Sequence, residues 1–246
     1  MMDLKALRTP APPGFSAAVQ LATGLAYGYH RFDSPLGEVG VAFGVAGVVG
    51  VELAEDLEAT FATRYRIPVV PATPPLRWIT LIERALDRGR PGALPLDLGS
   101  VSDFRRRALI AAATIPYGEV RPYAWVARET GNPESVRAVG SAMAANPVPL
   151  IVPCHRVVRS DGRLGEYSMG GPDSKRRVLT GEGVDLAELE ALAAGGTRLT
   201  GSTTTKIFCH PSCHAARRSK SIYRVNFSDR NEAEAAGYRA CRLCRP

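Results

Sequence analysis

No apolar run in this sequence approaches the roughly 18 residues that a membrane-spanning helix needs. Met1 to Pro13 lacks the apolar core of a secretory signal, so the chain is expected in the cytoplasm, with no membrane partner. Cysteine is scarce: five residues, an odd number that argues against a disulfide framework. Most of the chain also lacks excess charge. Residues 1–197 carry 21 basic and 21 acidic side chains, so the net charge of +7 falls entirely on residues 198–246, with 10 basic and 3 acidic. A small basic terminal module follows from that division. Such a surface suits a polyanion, nucleic acid included, and equally suits plain solvation. At 246 residues, 45% hydrophobic and 22% charged, the composition excludes disorder and collagen-like architecture and suits one large domain or two to three small ones.

The first hundred residues hold no reactive constellation and read as scaffold. Residues 1–25, rich in Pro and Ala, read as a loose arm. Apolar side chains then alternate through Val39, Val41, Phe43 and Val45, turn at Ala46-Gly47, and resume at Val49 and Val51, the period of a hairpin. Helical spacing follows over 54–65 and 76–88, joined by the Pro-rich stretch 68–75. Beyond it the text becomes short helices. Ser102 can cap a helix bearing Phe104, Ala108, Ala111 and Ile115. Pro122 stands at the start of another helix that Gly131 closes, and Asn132-Pro133-Glu134 opens a third that runs to Asn146-Pro147. Two helices joined by a tight Gly-containing turn make a helix-turn-helix. The second has one face of Ala138, Ser141 or Ala142, and Ala145, with Arg137 as its one long cation. A helix about 10–12 Å across does not ordinarily enter a minor groove about 6 Å wide. A face stripped to Ala and Ser can do so when the groove widens, and it suits tight helix packing equally well.

The cysteines divide as the charge does. Cys154 stands alone beside His155, between apolar stretches read as strands, where only a nearby base or cation would make it a nucleophile. The others fall as Cys209-x3-Cys213, 27 intervening residues, then Cys241-x2-Cys244. Two close pairs around a small subdomain are the pattern of a tetrahedral zinc site, with thiolates at about 2.3 Å. Metal ligation would also stabilise a fragment too small for a core of its own. His210 and His214 are alternative ligands, but four Cys already complete the tetrahedron, which leaves the two histidines expected to face solvent.

The string Pro153-Cys154-His155-Arg156-Val157, with Gly131-Asn132-Pro133, Arg137-Ala138-Val139-Gly140 and Ala145-Asn146-Pro147 upstream, resembles the O6-alkylguanine-DNA alkyltransferases, also called methylated-DNA–protein-cysteine methyltransferases. The resemblance covers residues 100–184 closely and the preceding hundred in outline, as that family's α/β companion domain. It implies irreversible, single-turnover transfer of an alkyl group from O6-alkylguanine, or O4-alkylthymine, to Cys154. His155 would act as base through a bridging water, oriented by Glu182. Asn146 would tie the recognition helix to the Cys segment, and Tyr123 would give a proton or hydrogen bond to the leaving guanine. Arg137 would fill the gap left in the duplex, beside Ala138 and Ser141 in the groove. Tyr167 and Ser168 would line the pocket for the extruded base. Extrusion costs a few kcal/mol, least for a poorly paired base. Met169 departs from the family pattern by lengthening the pocket loop before Gly170-Gly171, which bears on the alkyl size accepted.

The segments Thr204 to Cys213 and Ala235 to Cys244 resemble the Ada-type zinc-binding domain. That likeness implies Zn2+ on Cys209, Cys213, Cys241 and Cys244, with no organic cofactor. In the full-length version of that family the thiolate corresponding to Cys209 accepts methyl from a DNA methylphosphotriester. The expected fold is thus an α/β N-terminal domain over 26–100, a mostly α helix-turn-helix alkyltransferase domain over 101–184, a linker over 185–202, and a small zinc-stabilised α+β module over 203–246. Because the linker reads as flexible, removing the module is expected to leave transfer at Cys154 unchanged. The expected partner is double-stranded DNA, entered through the minor groove by a monomer that is nucleoid-associated when bound. A non-catalytic alkylation sensor and a thiol hydrolase using Cys154 and His155 are the alternatives. Neighbours on a strand point to opposite faces, so a water-bridged Cys–His arrangement fits better than direct pairing.

Overall fold

The computed structural model describes residues 15–53 and 57–246. The first part of the expected loose arm lies outside them; the rest is not loose, because Phe15–Ala22 forms helix α1. Its Ala, Leu and Gln are good helix formers, and this propensity prevails over the Pro-rich context. The hairpin forms as expected from β2 (Gly37–Phe43) and β3 (Val48–Glu52), preceded by β1 (Tyr27–Ser34), which the sequence reading did not find. Helix α2 (Leu57–Arg64) follows, then β4 (Val69–Pro71) and helix α3 (Leu76–Arg88). The sheet order is β3-β2-β1-β4, with β4 parallel to β1 at one edge. Proline is tolerated on such an edge strand.

The sheet is covered on both sides. Tyr29, Ala42 and Val49 pack on Leu57 and Phe61 of α2, while Phe32, Val39 and Val41 join Trp78 and Ile82 of α3. The second cluster does not stop at the scaffold. It continues through Ala108, Leu109, Trp125, Val139 and Met143 to Cys154, so scaffold and reactive segment share one core.

Around that core lie α4 (Asp103–Ala113), β5 (Arg121–Pro122), α5 (Tyr123–Glu129), α6 (Val136–Ala144), β6 (Val157–Val158) and α7 (Gly171–Gly181). Ser102 sits at the N-cap of α4 without a side-chain capping bond. The turn between α5 and α6 contains Gly131 at φ +80°, a backbone conformation that costs glycine little. The apolar strands expected on either side of Cys154 are reduced to an isolated bridge between Pro149 and Val152 and the two-residue β6. Cys154–Arg156 is a 3-10 turn. Leu150 enters that segment at φ +67°, a conformation costing a branched residue on the order of 1–2 kcal/mol.

The expected linker over 185–202 is corrected outright. Leu186–Ala194 is helix α8, capped by Asp185, whose carboxylate accepts from the Glu188 amide at 2.8 Å. Its Ala, Leu and Glu residues favour helix, and Leu186 packs with Val120, Val158 and Leu179. Leu199–Ser202 is strand β7, an inner member of a second sheet with β8 (Ile207–Cys209), β9 (Arg224–Phe227) and β10 (Arg239–Ala240), in order β10-β8-β7-β9. Helices α9 (His214–Arg217) and α10 (Arg230–Ala235) complete this unit. Leu199, Phe208, Phe227, Ala233 and Tyr238 form a small core within it. The module therefore begins inside the stretch read as linker. Among the described residues no helix is long and apolar enough to cross a membrane.

Candidate active site and metal centre

Cys154 is buried beneath the end of α6. Asn146, just past that helix, donates from Nδ2 to the Val152 carbonyl at 2.9 Å and to Cys154 Sγ at 3.2 Å, while its Oδ1 accepts from the Val148 amide at 3.1 Å. One amide side chain thus fastens the reactive turn to the helix-turn-helix. Burial pushes the Cys154 thiol up, against the Asn146 hydrogen bond and the charge of Lys175. The thiol is stored protonated, so a base must act on it.

His155 lies beside it, buried, with Nε2 2.8 Å from Glu182 Oε1. A carboxylate at Nε2 makes that nitrogen the donor, so Nδ1 carries the lone pair. Nδ1 is itself buried and has no hydrogen-bond partner among the described residues. Burial pulls the His155 pKa down, keeping the ring neutral and basic. Burial alone would raise Glu182, but hydrogen bonds from His155 and Arg156 outweigh it and hold the carboxyl at about 2. Arg156 is the cation that makes a buried carboxylate tolerable. Its Nε reaches Glu182 Oε2 at 2.8 Å and its Nη2 reaches Oε1 at 2.8 Å. The guanidinium also donates to the carbonyls of Arg88, Gly89 and Ile115. A Cβ on Gly89 would stand 2.5 Å from Arg156 Nη2, so only glycine leaves room for this clamp between α3 and the active site. Arg156 stood within the sequence motif, but nothing in the sequence showed that it would close on Glu182, 26 positions away.

Tyr123 opens α5 half-buried, its hydroxyl 3.8 Å from where a Cβ on Gly165 would sit. Burial and then the proximity of Cys154 raise its pKa. Tyr167 is buried against His155, ring centroids 6.0 Å apart at 78°, and its hydroxyl has no partner among the described residues. Ser168 is exposed beside it, whereas the additional Met169 points into the core that holds Cys154 and Tyr167. Lys175 was missed from sequence. It is fully buried, donates to the carbonyls of Val157 at 2.7 Å and Leu164 at 2.6 Å, and burial lowers it to about 8. A lone Lys at helical spacing with Val178 and Leu179 was the available signal.

On α6 the small residues divide by burial. Ala138, Ser141 and Ala145 are exposed together with Arg137, while Val139, Ala142 and Met143 face the core. Helix packing therefore does not explain the three exposed small side chains.

Cys209, Cys213, Cys241 and Cys244 converge at the other centre, all buried, with their sulfur atoms within 4.8 Å of one another. The strand end of β8, the start of α9, the end of β10 and the following turn each supply one. Four converging soft donors with no disulfide among them fit a tetrahedral metal ion. Hydrogen bonds from Cys209 and Cys244 draw the Cys213 thiol down, so one thiolate is already favoured within the cluster. His214 is exposed as expected, but His210 is not. It is 8% exposed, with Nε2 buried and unpaired, because the module packs against Arg121 and Arg128 instead of standing in solvent.

The family model of the 6-O-methylguanine DNA methyltransferase DNA binding domain matches residues 103–184, and that of the metal binding domain of Ada matches residues 191–246. A methylated-DNA–protein-cysteine methyltransferase of Mus musculus is 34% identical over 211 residues, which cover 78% of this chain and 96% of the relative. One of Methanothermobacter thermautotrophicus is 35% identical over 154 residues, covering 62% and 83%. Among solved structures, Mycobacterium tuberculosis OGT in complex with DNA matches with a TM-score of 0.51 and 29% identity, over 66% of this chain and 98% of that one. The chain belongs to the methylated-DNA–protein-cysteine methyltransferase family and joins to it an Ada-type metal-binding domain.

Proposed function

We propose that this protein repairs DNA directly by moving the alkyl group of O6-alkylguanine onto Cys154, once per molecule. The observation that carries this reading is the His155 ring. Its Nε2 is fixed on Glu182, and its unpaired Nδ1 is buried beside a thiol that Asn146 holds in place. A water between Nδ1 and Sγ would give Nδ1 its missing partner and pass the thiol proton to the ring. Sulfur then attacks the alkyl carbon, the S–C bond forms as the C–O6 bond breaks with its electron pair leaving on guanine, and guanine takes the Tyr123 hydroxyl proton, the proton held on His155 balancing the tyrosinate. Tyr123 serves that leaving group, whose developing charge must be stabilised. The thioether has no route back to thiol within the site. Glu182 and Arg156 orient the base, and the Lys175 charge favours the thiolate as it forms.

The exposed small face of α6 suits a widened minor groove, with Arg137 at its first turn filling the space of an extruded guanine. Zn2+ is the ion that four thiolates favour, and when bound it keeps its sulfur ligands deprotonated. A cavity of about 300 Å³ beside Cys209, flanked by Arg239 and Arg242, favours a second reading in which Cys209 also accepts methyl, from a backbone phosphotriester. Duplex carrying radiolabelled O6-methylguanine tests the first reading: label should reach one equivalent per protein and stop. Continued turnover points to a hydrolase, and binding without transfer to a sensor.

A further inference from the structure

The metal centre touches the alkyltransferase site through the immediate neighbours of its own ligands. Ser212, adjoining Cys213, makes a reciprocal pair with Val120: its Oγ accepts from the Val120 amide and donates to the Val120 carbonyl, both at 3.0 Å. His214, on the other side of Cys213, meets Glu119 Oε1 at 2.9 Å through its backbone N–H and again through Nδ1. The carbonyl of Cys244 accepts from Trp125 Nε1 at 2.8 Å. Glu119 is buried and paired with Arg121. All these partners lie within residues 119–125, which contain Tyr123. The same segment forms β5, which pairs with β6 directly after the Cys154–Arg156 turn. Without the module, the Val120 backbone groups and Trp125 Nε1 would lose buried hydrogen-bond partners.

We propose that the four-cysteine centre is a brace for alkyl transfer. Metal held by Cys209, Cys213, Cys241 and Cys244 fixes Ser212 and the Cys244 carbonyl against Val120 and Trp125, and these hold Tyr123 in register with Cys154. Ser212 and Trp125 are positioning residues in this arrangement, since neither touches the reacting atoms. The proposal rests on the reading of Tyr123 as the group that assists the leaving guanine. It reverses the expectation that the module can be removed without consequence at Cys154.

The coupling has a spectroscopic signature, because the chain contains only two tryptophans. In a Trp78→Phe background, adding zinc(II) alone to the metal-stripped full chain should shift Trp125 emission, with a midpoint matching metal uptake. In the zinc-loaded protein, Ser212→Ala should slow transfer from O6-methylguanine in duplex about tenfold, and Ser212→Thr, which keeps the hydroxyl, should restore it. Alkylation of Cys154 by iodoacetamide, followed on its own peptide, should stay within about threefold, since iodide needs no proton to leave. Trp125 emission indifferent to zinc overturns the proposal, as does a Ser212→Ala rate that is unchanged or equally lowered for both reagents. Tyr123→Phe separates the two levels. If it slows transfer while Ser212→Ala does not, only the brace fails; if it has no effect, the reading of Tyr123 fails and the brace with it.

Discussion

The two cysteine centres of this chain hold sulfur in opposite ways. Cys154 is alone in an apolar core that keeps its thiol protonated, with a neutral imidazole beside it and a buried Lys175 near enough to favour the thiolate. The four C-terminal cysteines crowd together, so that mutual hydrogen bonding favours the first thiolate and a metal ion suits the remainder. Reactivity at the first centre depends on an assembled proton path, and at the second on ligation. A single sulfur needs partners from α5, α6 and α7 to become a nucleophile, whereas a cluster creates its own electrostatics. This fits the larger stretch that carries the first site, residues 103–184, and the smaller one that carries the second, residues 191–246.

The contrast breaks most sharply at Cys154 itself. Cys154→Ser should abolish transfer from O6-methylguanine while DNA affinity stays within about threefold, because a hydroxyl is a far weaker nucleophile near neutral pH; single-turnover assays and band shifts measure both. Glu182→Gln comes next. It removes the carboxylate that orients His155 and leaves Arg156 buried without its counter-ion, so transfer should fall about a hundredfold and stability by about 3–5 kcal/mol. The carboxyl is held at about 2 against an ordinary 4.5, so its contribution is present above pH 4.5 and fades as pH falls toward 2. Acid titration of the variant should lack that component.

Deleting residues 198–246 should lower the Tm by about 5–10 °C through the orphaned groups at Val120 and Trp125, and should flatten the salt dependence of DNA binding. Calorimetry and salt titration separate these effects, and an unchanged salt slope would mean that the basic surface faces something other than DNA. Arg137→Ala should slow transfer in duplex about tenfold and leave reaction with free O6-benzylguanine nearly intact, because only the duplex must be opened. Smallest is the pH effect. With Cys154 raised, His155 lowered and the proton passing between them, transfer should vary less than about threefold from about pH 6.5 to 7.5 and decline above about 8, where Lys175 loses the charge that favours the thiolate. A tenfold climb per pH unit would show that the thiol proton goes directly to solvent.

Much of both centres was readable before the fold was known. Patterned residues announced the hairpin, α3, the two helices of the turn motif and all four metal cysteines, since each follows from a short period or spacing. Asn146, His155 and Glu182 were named through the family likeness, and the geometry brings them to Cys154. Long-range buried charge was not readable. Arg156 stood in the motif with no role of its own and Lys175 drew no reading at all, because burial is a property of the assembled core. β1 was hidden by polar residues in a strand that pairs on both sides. The stretch 185–202 misled for a different reason. Its Gly and Thr residues resemble a tether locally, yet Leu186 and Leu199 find apolar partners only in the folded molecule.

The most direct measurement is mass spectrometry of the intact protein and its peptides after exposure to duplex carrying O6-methylguanine as its only lesion. One added methyl on the peptide containing Cys154, reaching one equivalent and no more, is the expected result. Methyl found on another residue, or an unmodified protein after the lesion has been removed, would contradict the assignment of Cys154 as the acceptor.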